Sequence, residues 1–235
     1  MLSIKPVLGT QIQTGHPLAR GIAGCWLMNE GSGSYIYDSS GNGYIGTLGT
    51  GATSPTWSSN GLSFGANQSR IVTPAAAGFN SDSGSIEMLV RPAWNYDDGL
   101  YHFLWDTYGG NNCSFYIQKH PANYTSLFTD STLRQNFTFH WAAGTVYHVV
   151  LNWGTNQLYI NGVLEKTYEA GGLGNGSSTL YIGDRHASAN YAFSGNIYYF
   201  IVRDVPLKQV EINQLYVDPY VMFQQRRRNI LLNTS

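Results

Sequence analysis

Charged residues are scarce in this chain: Lys, Arg, Asp and Glu make up 11% of its 235 residues, against about 25% in an average protein. The 13 basic and 14 acidic residues nearly cancel, so the sequence predicts no electrostatic attraction to nucleic acid or to a membrane. Low charge does not indicate disorder here, because aromatic residues reach 14% and 27 glycines accompany them. This composition favours many short strands joined by tight turns.

Cysteine is also rare, with Cys25 and Cys113 as the two examples. Two thiols are too few for a disulfide framework or a four-ligand zinc site, and two buried thiols are favoured over one bridge. The sequence has no apolar run of about 18 residues, so it predicts no transmembrane helix. The N-terminus lacks the basic and apolar regions of a signal peptide, so we expect a protein that is made in the cytoplasm, or that leaves by lysis or assembly rather than by secretion.

The residue patterns of several enzyme classes are missing. A retaining glycosidase needs two carboxylates about 5 Å apart, but Glu87, in a predicted central strand, is followed at i+2 and i+4 by Leu89 and Arg91. There is no Gly-x-Ser-x-Gly elbow, no phosphate-binding loop, and no histidine pair at i, i+2 or i, i+4. The sequence therefore predicts a protein that is not an enzyme.

What is present, from Gly21 onward, is a succession of β-type segments. In 85–91, Ile86, Met88 and Val90 alternate with a second set of side chains, which is typical of a strand with two different faces. Asn161-Gly162 predicts a type I′ hairpin turn, in which both residues need a positive φ. Other strands are predicted at 22–28, 43–48, 61–64, 70–73, 101–107, 114–119, 124–129, 133–139, 146–153, 157–160, 163–167, 179–182 and 193–203.

One helix is predicted from Pro206 to the residue before Asp218-Pro219, since a residue preceding proline avoids the α region. The pattern therefore predicts an all-β sandwich with one short C-terminal helix. The chain is predicted to consist of an extended N-terminal arm at 1–20, a domain at 21–217 and a C-terminal tail at 218–235. Because the tail carries Ile230, Leu231 and Leu232 after three arginines, we expect it to be buried against something.

Two loops, 93–101 and 184–191, combine aromatic rings with amides and carboxylates. Sugar rings have apolar C–H faces and hydroxyl groups, so this mixture suits carbohydrate binding. With 17 Tyr and 6 Trp in the chain, chance placement in loops or a role in the core is the alternative. The candidate glycan-binding residues are Trp94, Tyr96, Asp97, Asp98 and Tyr101 in the first loop, and Asn190 and Tyr191 in the second.

A glycine-rich turn at 38–43 offers oxygen donors that would suit calcium. The candidate metal ligands are Asp38 and Asn42 in this turn and Glu30 before it. The alternative is an Asx turn, in which Asp38 accepts local backbone hydrogens, and we favour this turn slightly. Calcium therefore stays an optional cofactor.

Five strings in chain order resemble concanavalin A-like, laminin G-type jelly-roll domains. The resemblance covers about residues 21–216 and implies a two-sheet antiparallel jelly roll. One departure is Tyr198-Tyr199, which stand where the family commonly has an acidic pair. The strings are 24–33 with 38–43, 85–92, 147–150 with 158–162, 180–183, and 193–197 with 205–207.

Two terminal strings, 16–21 and 215–220, are similar to those of laminin G-like proteins encoded in tailed-phage and prophage genomes. This resemblance implies a non-catalytic virion structural or appendage protein, such as a capsid decoration or tail protein, that docks by arms whose removal leaves the sandwich folded. Its implied location is the virion, or the host cytoplasm during assembly. Implied partners are further copies of the chain, with a trimer as a common arrangement, other virion proteins and cell-surface glycans. A carbohydrate-binding module without a virion role is the alternative, and a glycoside hydrolase is the least favoured hypothesis.

Overall fold

A computed structural model describes residues 4–65, 69–74, 82–108, 114–117, 124–129, 133–169, 179–186 and 191–223. Short 3-10 turns occur at Pro17–Ala19 and Gly51–Thr53. The strands are β1 Ile22–Trp26, β2 Tyr35–Ile36, β3 Gly46–Leu48, β4 Thr56–Ser58, β5 Gly61–Phe64, β6 Ile71–Pro74, β7 Gly84–Pro92, β8 His102–Tyr108, β9 Ser114–Ile117, β10 Tyr124–Thr129, β11 Leu133–Thr138, β12 Tyr147–Trp153, β13 Gln157–Ile160, β14 Val163–Thr167, β15 Thr179–Ile182 and β16 Gly195–Arg203, and the helix is α1 Gln209–Val217.

The strands form two antiparallel sheets, which confirms the predicted sandwich. The first sheet has the order β14-β13-β12-β7-β16-β5-β4, and β1 also pairs with β16. The second sheet has the order β11-β10-β9-β8-β15-β6-β3-β2. The short strands β2 and β4 were not predicted, because two or three residues are too few to show an alternating pattern.

The main core lies between the two sheets. Ile86, Met88 and Val90 of β7 are buried there, as the alternation predicted. The opposite face of β7 carries Leu89 and Glu87, which are also buried. The first sheet is therefore covered on both faces, and β7 lies at its centre.

A second apolar layer covers the outer face of the first sheet. It contains Ile212 and Leu215 of α1, together with Leu18 from the N-terminal arm and Met222 and Phe223 from the C-terminal segment. Ile12 forms an isolated antiparallel bridge with Phe223. Leu18 and Ile12 of the N-terminal arm, and Met222 and Phe223 of the C-terminal segment, are therefore packed on the sandwich of their own chain.

The predicted hairpin and helix boundaries can be compared directly with the structure. Asn161 and Gly162 have φ values of 53° and 80°, as the type I′ turn requires. The helix begins at Gln209 rather than at Pro206, because Asn152 holds the backbone of Leu207 through two hydrogen bonds of 2.8 and 3.1 Å. It ends before Asp218, as expected.

Two further sequence expectations concern cysteine and membranes. Cys25 is a fully buried free thiol, and burial raises its pKa well above the usual range. Cys113 lies outside the described residues. In the part of the chain that the structure covers, no helix is long and apolar enough to span a membrane.

Candidate functional site

The outer face of the second sheet carries a row of aromatic side chains. Leu180 and Ile182 of β15 are buried in the main core, so Tyr181 between them faces outward. Next to β15, Phe103 of β8 lies under Tyr191, with ring centroids 5.7 Å apart. Tyr101 adds a further ring, 5.0 Å from that of Tyr191 in an edge-to-face arrangement. We call Tyr101, Phe103, Tyr181 and Tyr191 the aromatic strip.

Two arginines lie over the rings of the aromatic strip. The Cζ atom of Arg185 is 5.6 Å from the ring centroid of Tyr191 and 6.0 Å from that of Phe103. The Cζ atom of Arg70 is 6.0 Å from the ring centroid of Tyr181. These are cation–π distances. Phe103 is 4% exposed, so the rings presented beside the guanidinium groups are those of Tyr181 and Tyr191.

Buried carboxylates bind the backbone of Arg185 and His186. Asp106 of β8 accepts hydrogen bonds from the backbone N–H and the ring of His186, at 3.0 and 2.6 Å. Asp184 accepts one from the backbone N–H of Arg185 at 2.7 Å and lies 4.0 Å from Arg70. Burial raises the pKa of Asp106, which His186 opposes, and it raises the pKa of Asp184 to about 6.

The structure brings together two of the predicted glycan-binding residues, Tyr101 and Tyr191. Tyr96 is half-buried beside the ring of His140 instead. Asp97 is exposed, and Asp98 accepts hydrogen bonds from the backbone N–H of Leu100 and from His102. Asn190 lies outside the described residues.

Trp94 is a core residue, although its segment was predicted as a loop. It is 6% exposed, and its indole lies flat on the imidazole of His102 with centroids 4.0 Å apart. Trp141 and Phe193 contact its ring at an angle, at 6.1 and 6.2 Å. With its ring enclosed in this way, Trp94 is a packing residue, which is the alternative that the sequence left open.

The candidate calcium ligands are engaged within the protein. Asp38 accepts hydrogen bonds from the backbone N–H groups of Cys25 and Ser40, at 2.9 and 2.8 Å, and from the Ser40 hydroxyl at 2.7 Å. Asn42 donates to the carbonyl of Ala23, and Glu30 Oε1 accepts from the backbone N–H of Tyr37, whereas the buried Glu30 Oε2 has no hydrogen-bond partner among the described residues. Among the described residues, no group of three or more His, Cys, Asp or Glu side chains is placed to hold a metal ion. Asp38 therefore forms the Asx turn that the sequence favoured.

Glu87 has a structural environment on the far side of the first sheet. Its carboxylate lies 2.7 Å from Arg203, accepts a hydrogen bond from the hydroxyl of Tyr199 at 2.7 Å, and lies 3.1 Å from His148 Nε2. Burial alone would raise its pKa, but Arg203 and the hydrogen bonds lower the pKa to about 2. Tyr199, which stands in place of a family acid, is thus a buried partner of this carboxylate.

Phe103, Tyr181 and Asp106 were not predicted to be parts of this surface. Alternation within 179–182 separates Tyr181 from Leu180 and Ile182. In β8 the register shifts between Phe103 and Trp105, so strict alternation would have placed Phe103 on the same face as the core residue Trp105. Arg185 and His186 lie in the second predicted loop but were not chosen from it. No local pattern indicated that these two strands are neighbours.

Comparison with known families and structures places this geometry in context. A family model described as the concanavalin A-like lectin/glucanases superfamily, of the Laminin_G_3 type, matches residues 64–213, which is more than half of the chain. Among curated proteins, none matches the sequence.

Several solved structures share the fold at low sequence identity. A Trypanosoma rangeli sialidase bound to the inhibitor DANA has a TM-score of 0.66 and 17% identity, covering 94% of this chain but 36% of the sialidase. Domain 4 of the arabinanase AbnA from Geobacillus stearothermophilus, in complex with arabinotriose, has a TM-score of 0.62 and 17% identity, covering 83% of this chain and 98% of that one. The binding domain of botulinum neurotoxin DC, in complex with SialylT, has a TM-score of 0.64 and 15% identity, covering 85% and 52%. The chain thus spans about a third of the length of the sialidases it matches, and these likenesses show the fold alone.

Proposed function

Because the chain belongs to the concanavalin A-like lectin/glucanase superfamily, we propose that it is a carbohydrate-binding protein whose binding surface is the aromatic strip. The observation that carries this proposal is the edge-to-face pair of Tyr101 and Tyr191, 5.0 Å apart, with Arg185 over the second ring. Both tyrosines are partly exposed, so ring area is available to a ligand.

The chemistry of this surface suits a sugar. The C–H faces of a pyranose pack on aromatic rings, and its hydroxyls accept hydrogen bonds from guanidinium groups such as that of Arg185. The hydrogen bonds of Asp106 and Asp184 to the backbone at 185–186 hold Arg185 and His186 in place before a ligand arrives. Such preorganisation lowers the entropic cost of binding.

The arabinotriose complex of the AbnA domain supports the proposal, because nearly all of that chain is this fold. The sialidases and the neurotoxin domain are longer than this chain, so their ligands support it less directly.

The first test is a broad glycan array probed with the full chain, once with calcium and once with chelator. We expect reproducible binding to one class of glycan that persists in chelator, because Asp38, Asn42 and Glu30 already bond within the protein. A blank array under both conditions would overturn the proposal.

A matched pair of variants then locates the site by calorimetry with the array ligand. Tyr191→Ala should weaken binding about 10- to 100-fold, the order expected when a stacking ring is removed. Tyr35→Ala is the control, because Tyr35 is 51% exposed on β2, at the edge of the same sheet. An equal loss of affinity in the two variants would show that the binding site lies outside the aromatic strip.

We propose no catalytic activity. Asp106 and Asp184, which interact electrostatically, are almost completely buried, and Glu87 is bound by Arg203. Hydrolysis of the array ligand by purified protein, detected as released reducing sugar, would contradict this.

A second proposal keeps the virion role inferred from the terminal strings. It is favoured by the exposed apolar side chains of Ile4, Val7 and Leu8, which are 87%, 57% and 57% exposed on the N-terminal arm. In an assembly such side chains would be buried against a neighbouring subunit. Light scattering of the full chain and of an Ile4→Ser, Val7→Ser, Leu8→Ser variant tests this, and two monomers of equal mass would contradict it. The phage origin of the chain stays a prediction.

A further inference from the structure

Three backbone carbonyls from distant parts of the chain converge on one side chain. The Nζ atom of Lys5 donates to the carbonyl oxygens of Met28 at 3.0 Å, Asn60 at 2.7 Å and Tyr198 at 2.7 Å. A primary ammonium group has three N–H donors, and all three are paired here.

Each of these carbonyls is released from regular pairing by a local irregularity of the backbone. Met28 follows β1 with a φ of 51°, a left-handed conformation that is uncommon for a residue other than glycine. Asn60 lies in the two-residue turn between β4 and β5. Tyr198 lies where the register of β16 against β7 shifts, between Ile197 and Tyr199.

These irregularities belong to the sandwich rather than to the N-terminal arm. Met28 has a strained backbone conformation, yet its side chain is 1% exposed. Its packing in the fold therefore holds its carbonyl in place. We call the three carbonyl oxygens of Met28, Asn60 and Tyr198 the carbonyl seat. Its three oxygens face one point, which is a suitable arrangement for a cationic donor group.

We propose that the carbonyl seat is a binding site for a primary alkylammonium group, which the side chain of Lys5 fills within the same chain. Occupation by Lys5 fastens the N-terminal arm to three separate parts of the sandwich. The seat is distinct from the aromatic strip, because Tyr198 and its surroundings pack in the layer outside the first sheet.

Burial lowers the pKa of Lys5 to about 7, against the opposing effect of the Glu30 carboxylate, so the ammonium form of Lys5 fills the seat mainly below pH 7. Asn60 and Tyr198 also border an open cleft of about 440 Å³, beside Ile4 and Leu89. A small amine can therefore reach the seat once the lysine side chain is removed.

The test is chemical rescue of a Lys5→Ala variant, followed by thermal unfolding at pH 6.0, where both lysine and added amines are protonated. Propylammonium replaces the atoms that the variant lacks beyond Cβ. We expect Lys5→Ala to lower the Tm by about 3–6 °C, and 100 mM propylammonium to restore at least half of the loss. Tetramethylammonium has the same charge but no N–H donor, so it should restore none of it.

Lys166→Ala is the matched control, because Lys166 lies on β14 at the edge of the first sheet. Its Tm should respond equally to the two ammonium salts. The proposal is overturned if Lys5→Ala unfolds at the wild-type temperature, or if propylammonium gives no more recovery than tetramethylammonium. If Lys5→Ala does not fold, Lys5→Met keeps the apolar stem, and hydrogen exchange of residues 4–15 with each salt gives the same comparison.

Discussion

The indole of Trp94 and the imidazole of His102 are stacked, with centroids 4.0 Å apart and planes 3° apart. Asp98 accepts a hydrogen bond from His102 Nε2 at 2.9 Å, so this stack connects the loop at 93–101 to the start of β8. The aromatic strip begins one residue before His102, at Tyr101. A stack of two buried rings thus lies directly beside the partly exposed ring that we assign to binding.

Trp94→Ala should therefore reduce stability rather than remove a ligand contact. We expect a loss of about 3–5 kcal/mol in the free energy of unfolding, as for other buried aromatic truncations. Leu100→Ala, in the same loop and 51% exposed, should cost less than about 0.5 kcal/mol. Urea unfolding measures both, and a Trp94→Ala protein of wild-type stability would contradict the buried placement.

Removal of the Glu87 charge should be among the most damaging single changes. Glu87→Gln leaves the fully buried guanidinium of Arg203 without its counter-charge, so we expect a loss of about 3–5 kcal/mol at pH 7. Tyr199→Phe removes a single hydrogen bond to the same carboxylate and should cost about 1–3 kcal/mol.

The difference between the wild type and Glu87→Gln should depend on pH. The pKa of Glu87 is about 2 in the folded protein, against 4.5 for an unperturbed glutamate, so its stabilisation is complete above pH 4.5. It should shrink as the pH falls toward 2. Urea unfolding at pH 3 and pH 6 measures this, and a constant difference would show that Arg203 does not stabilise the Glu87 charge.

Ionisation of Asp184 should lower the stability of the folded protein, whereas ionisation of Glu87 raises it. Burial raises its pKa from 3.8 to about 6, so the folded state holds this proton more tightly than the unfolded state. Its ionisation therefore costs stability that grows as the pH rises from 4 to 6. Asp184→Asn should be more stable than the wild type at pH 7 by about 1–3 kcal/mol, and equal to it near pH 3.5. A less stable variant at pH 7 would show that the pairing with Arg70, 4.0 Å away, outweighs the burial.

Arg185→Lys should weaken glycan binding by about 3- to 10-fold while leaving the Tm unchanged, because lysine keeps the charge but loses the planar stacking group. Arg91→Lys is the control, since Arg91 is exposed on the first sheet and donates to the carbonyl of Gly144. Calorimetry with the array ligand separates them. Wild-type affinity of the Arg185→Lys protein would show that the guanidinium group is not part of the proposed binding site.

The N-terminal arm should contribute to folding, against the expectation that its removal leaves the sandwich intact. Leu18 is 2% exposed in the outer apolar layer, so Leu18→Ala should cost about 2–4 kcal/mol. Val7→Ala, at a position 57% exposed, should cost little. If a chain lacking residues 1–20 unfolds at the wild-type temperature, the arm is dispensable for stability.

Local patterns were sufficient for the fold class and for many strand positions. Alternation within 85–91 separated the core side chains Ile86, Met88 and Val90 from Glu87 and Leu89, because a strand has a period of two. Asn161-Gly162 identified its hairpin, since few residue pairs accept positive φ at both positions.

The candidate site was determined only by tertiary structure. Tyr101 and Tyr191 are 90 positions apart and meet because the segment at Tyr191 pairs with Phe103 at the start of β8, a pairing that no local pattern encodes. Trp94 appeared equally suited to binding until Trp141 and Phe193 closed around it. The sequence by itself determined which residues alternate and where the chain turns, because these depend on neighbours within a few positions. Burial and partnership depend on which distant strands are adjacent, and that was decided by the packing of the whole sandwich.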